Sequence, residues 1–133
     1  MAALRGNATV ASYGGRVPEG VPAEHLDFLR GCRSYHESER HIFLHGSYLA
    51  DLPMARQPIE VLHWDSLKLR KPGAHCSGKT VIVGHTAQRG GEILDLGYLR
   101  CIDTCCYGDD GRLTALDVET GQAWQADKNG RLR

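Results

Sequence analysis

Two stretches decide the fold: His41-Ile42-Phe43-Leu44-His45-Gly46 and Thr80-Val81-Ile82-Val83-Gly84-His85-Thr86. The second contains a continuous β-branched run, the pattern of a strand covered on both faces. The first is a short apolar run that reads as a strand ending at glycine. Each delivers one imidazole at its end beside a glycine, which lets backbone or ligand approach closely. Open α/β sheets place their chemistry at such strand ends, and a neutral imidazole keeps a lone pair for a metal. His45 and His85 are therefore candidate metal ligands. The alternative for each is a hydrogen-bonded core or surface residue. The other histidines, His25, His36, His41, His63 and His75, read as surface.

Working outward, residues 22–36 carry a helix signal. Pro22 suits the first turn, Glu24 sits where the helix dipole favours a carboxylate, and Leu26, Leu29 and Cys32 recur at helical spacing. A second helix is predicted over 58–69, with Ile59, Leu62 and Ser66 on one face, followed by a polar loop over 68–73. Beyond residue 80 the character is β. Short strands are expected at 92–94 and 98–102, then a hairpin of 112–119 and 122–127 around Thr120-Gly121. Helices early and strands late predict a mixed α/β fold of the α+β kind. One domain is expected over 1–133, with 1–20 as an irregular arm.

Composition excludes several classes. The 133 residues carry 16 Lys+Arg against 16 Asp+Glu, so no net positive charge points to nucleic acid or an acidic membrane surface. No apolar run approaches the roughly 18 residues of a bilayer span, and the N-terminal stretch lacks the apolar core of a secretory signal. A soluble, cytoplasmic protein is the expectation. Five cysteines, an odd number without paired C-x-x-C knuckles, argue against a disulfide framework and only weakly suggest zinc. Residues 73–80, Gly-Ala-His-Cys-Ser-Gly-Lys-Thr, satisfy the phosphate-loop pattern letter for letter. That pattern works when a strand delivers the loop and a helix starts at its lysine. Here a basic loop precedes it and a strand follows, so a polar turn entering a strand is the better reading.

Three segments together resemble the C-terminal half of the calcineurin-like metallophosphatases, above all the bacterial serine/threonine protein phosphatases. They are HIFLHGSYLADLPMARQPIEVLHWDSL (41–67), HCSGKTVIVGHT (75–86) and the CIDTCCYG…LTALDVETG stretch (101–121). ASYGG (11–15) and PAEHLDFL (22–29) look like the segment following that family's Gly-Asn-His-Glu motif. The resemblance implies a partial metallophosphatase-type β-sandwich flanked by helices. It also implies that His45 and His85 coordinate the second ion of a divalent pair (Mn, Fe or Zn), whose bridging water attacks a phosphate monoester in line. Tyr107 lies near a family tyrosine position beside the site.

The departures are as specific as the matches. The family's Gly-Asp-x-His-Gly and Gly-Asp-x-x-Asp-Arg-Gly motifs are absent, and with them the first-metal ligands, the bridging aspartate and a phosphate-clamping arginine. Leu4-Arg5-Gly6-Asn7 is followed by Ala8, so the general-acid histidine is missing, and Gly108-Asp109-Asp110-Gly111 stands where the family has mostly glycine. No catalytic residue is identified in the chain itself. At most one weak metal site is expected here, and the isolated chain is expected to lack activity. The implied partners are a phosphorylated substrate and either the N-terminal half or a second copy, with no nucleic acid and no membrane. An unpartnered half-domain would leave strand edges and apolar surface exposed, hence marginal stability or self-association. The alternatives are a non-catalytic fragment or binding module and, less favoured, a nucleotide-binding protein using the loop 73–80.

Overall fold

A computed structural model describes residues 6–132, which fall into two compact units that divide between Arg33 and Ser34. In the first unit, helix α1 (Asn7–Ser12) stands where an irregular arm is expected, followed by α2 (Ala23–Gly31). Leu4 and Arg5 of the Leu-Arg-Gly-Asn segment lie outside the described residues. The Tyr13 hydroxyl meets His25 Nδ1 at 2.9 Å. Among the described residues none of α2 is buried; Leu26 is half-buried, and Phe28 and Leu29 are exposed.

The second unit is built on a mixed sheet. Strands β1 (Tyr35–Glu37), β2 (His41–Leu44), β3 (Thr80–Val83), β4 (Leu94–Asp95) and β5 (Leu99–Cys101) lie in the order β1-β2-β3-β5-β4. β2, β3 and β5 run parallel, and β1 and β4 close the two edges antiparallel. The fold is α+β. The β-branched run is the middle strand, and Val81, Ile82 and Val83 are all buried, as a strand covered on both faces requires. Register aligns Ile42 with Val81 and Val81 with Leu99. These side chains form one apolar row, completed by Val83 and Cys101 and packed against Tyr48, Met54, Leu62 and Leu67.

The crossover from β2 to β3 carries a 3-10 turn (Met54–Arg56) and helix α3 (Ile59–Trp64), which is shorter than the 58–69 predicted because the backbone turns extended at Asp65. Gln57 clips the preceding loop: its side chain accepts from Leu49 N–H at 2.8 Å and donates to the Leu49 and Leu52 carbonyls. The Tyr48 hydroxyl donates to Gly73 O at 2.7 Å, tying the crossover's two ends together. The hairpin β6 (Leu113–Leu116) and β7 (Ala123–Ala126) has a longer loop than a tight Thr120-Gly121 turn. The Asp117 carboxylate organises that loop by accepting from the Glu119 and Thr120 N–H groups. Glu119 reaches the sheet at Arg40 and His41. On the hairpin, Leu113 and Trp124 remain 67% and 47% exposed.

Gly46 is fixed by packing. Its N–H donates to Leu62 O at 2.6 Å and Ser47 N–H to Val61 O at 3.0 Å, so the end of β2 satisfies carbonyls of α3. A Cβ at position 46 would meet the Leu62 and Val61 carbonyl oxygens at 2.9 Å, whereas at Gly84 it would meet only ordinary contacts, from 3.7 Å. Close approach therefore explains the first glycine and not the second. Gly46→Ala is expected to cost roughly 1–3 kcal/mol in urea unfolding of the chain, with a smaller effect for Gly84→Ala.

Candidate functional site

Parallel pairing brings the C-terminal ends of β2 and β3 to one edge of the sheet. The ladder continues one step past the strands, where Gly84 N–H donates to His45 O at 3.0 Å. The two imidazoles meet there. His85 Nδ1 lies 3.1 Å from His45 Nε2, with ring centroids 4.9 Å apart and planes inclined at 69°.

His85 is held by its backbone. Its φ is +58°, and Thr86 N–H bonds back to Gly84 O at 2.5 Å, closing a γ-turn of the strained positive-φ type with His85 at its centre. Side chains hold that turn from behind. The buried Cys101 thiol lies 3.5 Å from Gly84 O and 3.4 Å from Thr86 O, Gln88 Nε2 donates to Thr86 O at 2.6 Å, and Thr86 Oγ1 accepts from Leu67 N–H at 2.9 Å. Burial holds the Cys101 thiol above its ordinary pKa, so it acts as a neutral packing group.

Around the pair stand residues not anticipated from the sequence. Trp64, 73% exposed at the end of α3, presents its ring edge-on to His85 at 6.3 Å. Its neighbour His63 acts electrostatically on His45, as does Asp103, just beyond β5. The signal for Asp103 was topological: β5 runs parallel beside β3, so its end arrives at the same edge. Asp103 is also pinned locally, its carboxylate accepting from Cys105 N–H at 3.2 Å and its carbonyl from Gln88 N–H at 2.8 Å. Tyr107, the tyrosine that the resemblance singles out, is 78% exposed, with its phenol held above its ordinary pKa by the Cys105 thiol.

Partial burial is the main cause that lowers the pKa of His45. The neighbouring His85 and then His63 act in the same direction, while Asp103 opposes them. His45 therefore keeps its lone pair to lower pH than an ordinary histidine, as a metal ligand requires. At 3.1 Å the two rings are hydrogen-bonded to each other, and the separation also lies within the roughly 3.0–3.4 Å between two nitrogens that share one ion at about 2.1 Å with coordination angles of about 90–109°. Among the described residues, no group of three His, Cys, Asp or Glu side chains is placed to hold a metal. The pair fits one flank of an ion and does not complete a binuclear centre.

The other expectations resolve differently. His41 and His75 are buried rather than surface residues. His75 bonds Ser77 Oγ at 2.7 Å and Leu52 O at 3.0 Å, and His41 Nδ1 faces Glu119 at 3.5 Å. The loop 73–80 leads into β3 with no helix, and Lys79 Nζ is committed to Glu37 at 2.9 Å and Ser38 O at 2.7 Å. That is a structural lysine. All five cysteines are free thiols. No helix among the described residues is long and apolar enough to cross a membrane.

Compared with protein-family models, curated proteins and solved structures, the chain matches none.

The His45 shift has a linkage consequence. Its folded pKa lies below the unfolded value of about 6.5, so the unfolded chain binds the proton first. The associated stability is present above about pH 6.5 and declines as pH falls through that value. An NMR titration of metal-free protein is expected to place the His45 midpoint below about 6.5. Urea midpoints are expected to fall between pH 7.5 and 5.5 by less in His45→Gln than in the parent.

Proposed function

We propose that this chain carries the two-histidine flank of a metal-dependent phosphoester hydrolase of the serine/threonine phosphatase type. The observation that carries the reading is the 3.1 Å approach of His85 Nδ1 to His45 Nε2 at the ends of adjacent parallel strands. The order of the segments 41–67, 75–86 and 101–121, which resemble the late half of the calcineurin-like metallophosphatases, supports the same reading. On this reading the sheet and hairpin would be part of a metallophosphatase-type sandwich.

A divalent ion (Mn, Fe or Zn), when bound, supplies Lewis-acid activation of water for attack on a phosphate monoester. The chain's own residues present two imidazoles, hold one through the γ-turn and set the local field at His45 through Asp103. Trp64 presents its ring edge to His85, and by the resemblance Tyr107 would stand beside the site. A complete centre draws its remaining ligands, and the groups that bind and protonate the substrate, from a segment or partner outside these 133 residues. The edge strands and the exposed Leu113 and Trp124 suit that association or self-association. A cytoplasmic location goes with this reading.

A second reading has its own observation. The lack of a third donor beside the pair among the described residues favours a non-catalytic module with one weak metal site. Metal titration and turnover separate the two. On either reading the chain binds one Zn2+ or Mn2+, and His45→Ala or His85→Ala lowers that affinity by about tenfold or more. An ion held equally well by both variants sinks the metal site. Manganese-supplemented aryl phosphate assays are expected to show no turnover by the chain alone. Turnover that appears on adding a segment with the missing carboxylates, and vanishes in His85→Ala, establishes the hydrolase; inert protein throughout establishes the module.

A further inference from the structure

Beyond His85, the loop leaving β3 lines an open cleft of about 510 Å³ with the turn that follows α3. Leu67 and Leu94 supply apolar wall and Thr86 a polar one. The charged residues lining it are Lys68, Lys71 and Arg89, all exposed and all cationic. None of the three is ion-paired with a described residue. Arg70, Lys79, Arg100 and Lys128, in contrast, each sit against a carboxylate. Of the carboxylates adjoining the cleft walls in sequence, Asp65 is paired with Arg70 at 3.2 Å and Asp95 with Arg100 at 2.9 Å.

In a chain with no net charge, three like charges around one concavity concentrate a positive potential there. A small anion neutralises part of it. A multiply charged one engages several cations through charge-assisted hydrogen bonds, with the arginine able to grip two oxygens at once. The cleft falls in the volume range of small-molecule sites, well beyond a single phosphate group. We propose that it binds an oligophosphate, inorganic or esterified, through Lys68, Lys71 and Arg89. The site uses neither His45 nor His85 and stands independently of the hydrolase reading. It is also separate from the phosphate-loop pattern at 73–80, whose lysine is already engaged.

The test is isothermal titration of the chain in metal-free buffer with tripolyphosphate, ATP and orthophosphate. Tripolyphosphate is expected to bind more tightly than orthophosphate, with affinity falling as salt rises. Lys71→Gln/Arg89→Gln is expected to weaken it about tenfold or more, Lys68→Gln less, and Lys79→Gln not at all. All three cleft side chains are exposed, so circular dichroism should show the variants folded. ATP binding as tight as tripolyphosphate, or tighter, identifies an esterified ligand using the apolar wall; tripolyphosphate alone identifies an inorganic one. Absence of binding by either, indifference to the cleft substitutions, or loss in Lys79→Gln would overturn the assignment.

Discussion

The register between β2 and β3 is the constraint on which the rest depends. With Ile42 opposite Val81 and Phe43 opposite Ile82, both strands end at the same edge and their next residues share a backbone hydrogen bond. A slip of one residue would turn Ile42 out of the apolar row and separate the imidazoles at once. Packing and chemistry are thus set by one pairing. The row that runs from Ile42 through Val81 to Leu99 pins the register with buried surface, and the site inherits its geometry.

Helix α3 fixes the outer side of the same edge. Its last carbonyls take the N–H groups of Gly46 and Ser47, so the segment following His45 cannot drift from the helix that carries His63 and Trp64. From the inner side, Cys101 and Thr86 hold the turn at His85, and Asp103 arrives on the third parallel strand. His63 and Trp64 come from α3, the two imidazoles from the ends of β2 and β3, and Cys101 and Asp103 from β5 and its end. The sheet order is what assembles them.

Local pattern made the central strands legible, and long-range pairing hid the remainder. The run 81–83 announced a strand buried on both faces because three consecutive β-branched residues suit nothing else so well. His45 and His85 were visible as strand-end imidazoles, yet their 3.1 Å approach depends on parallel register, which neither stretch encodes alone. Asp103 stayed unseen for the same reason. His75 and His41 looked like surface residues because their partners, Leu52 and Glu119, lie far away in sequence. The helix over 58–69 is overextended because Ser66 has the helical spacing but lies beyond the helix end, where its hydroxyl meets that of Thr86 at 3.3 Å. At the hairpin, a side-chain carboxylate at Asp117 substitutes for the tight turn that Thr120-Gly121 suggested.

The positive φ at His85 sets two selective pressures against each other. A residue without a Cβ would relax that backbone and add to the protein's resistance to unfolding, but it would carry no ring nitrogen. Variants chosen only for thermal tolerance should therefore drift toward glycine at this position, and variants chosen to keep the imidazole pair should retain the tension. Sequencing the survivors of the two selections would show whether position 85 is kept for the fold or for its chemistry.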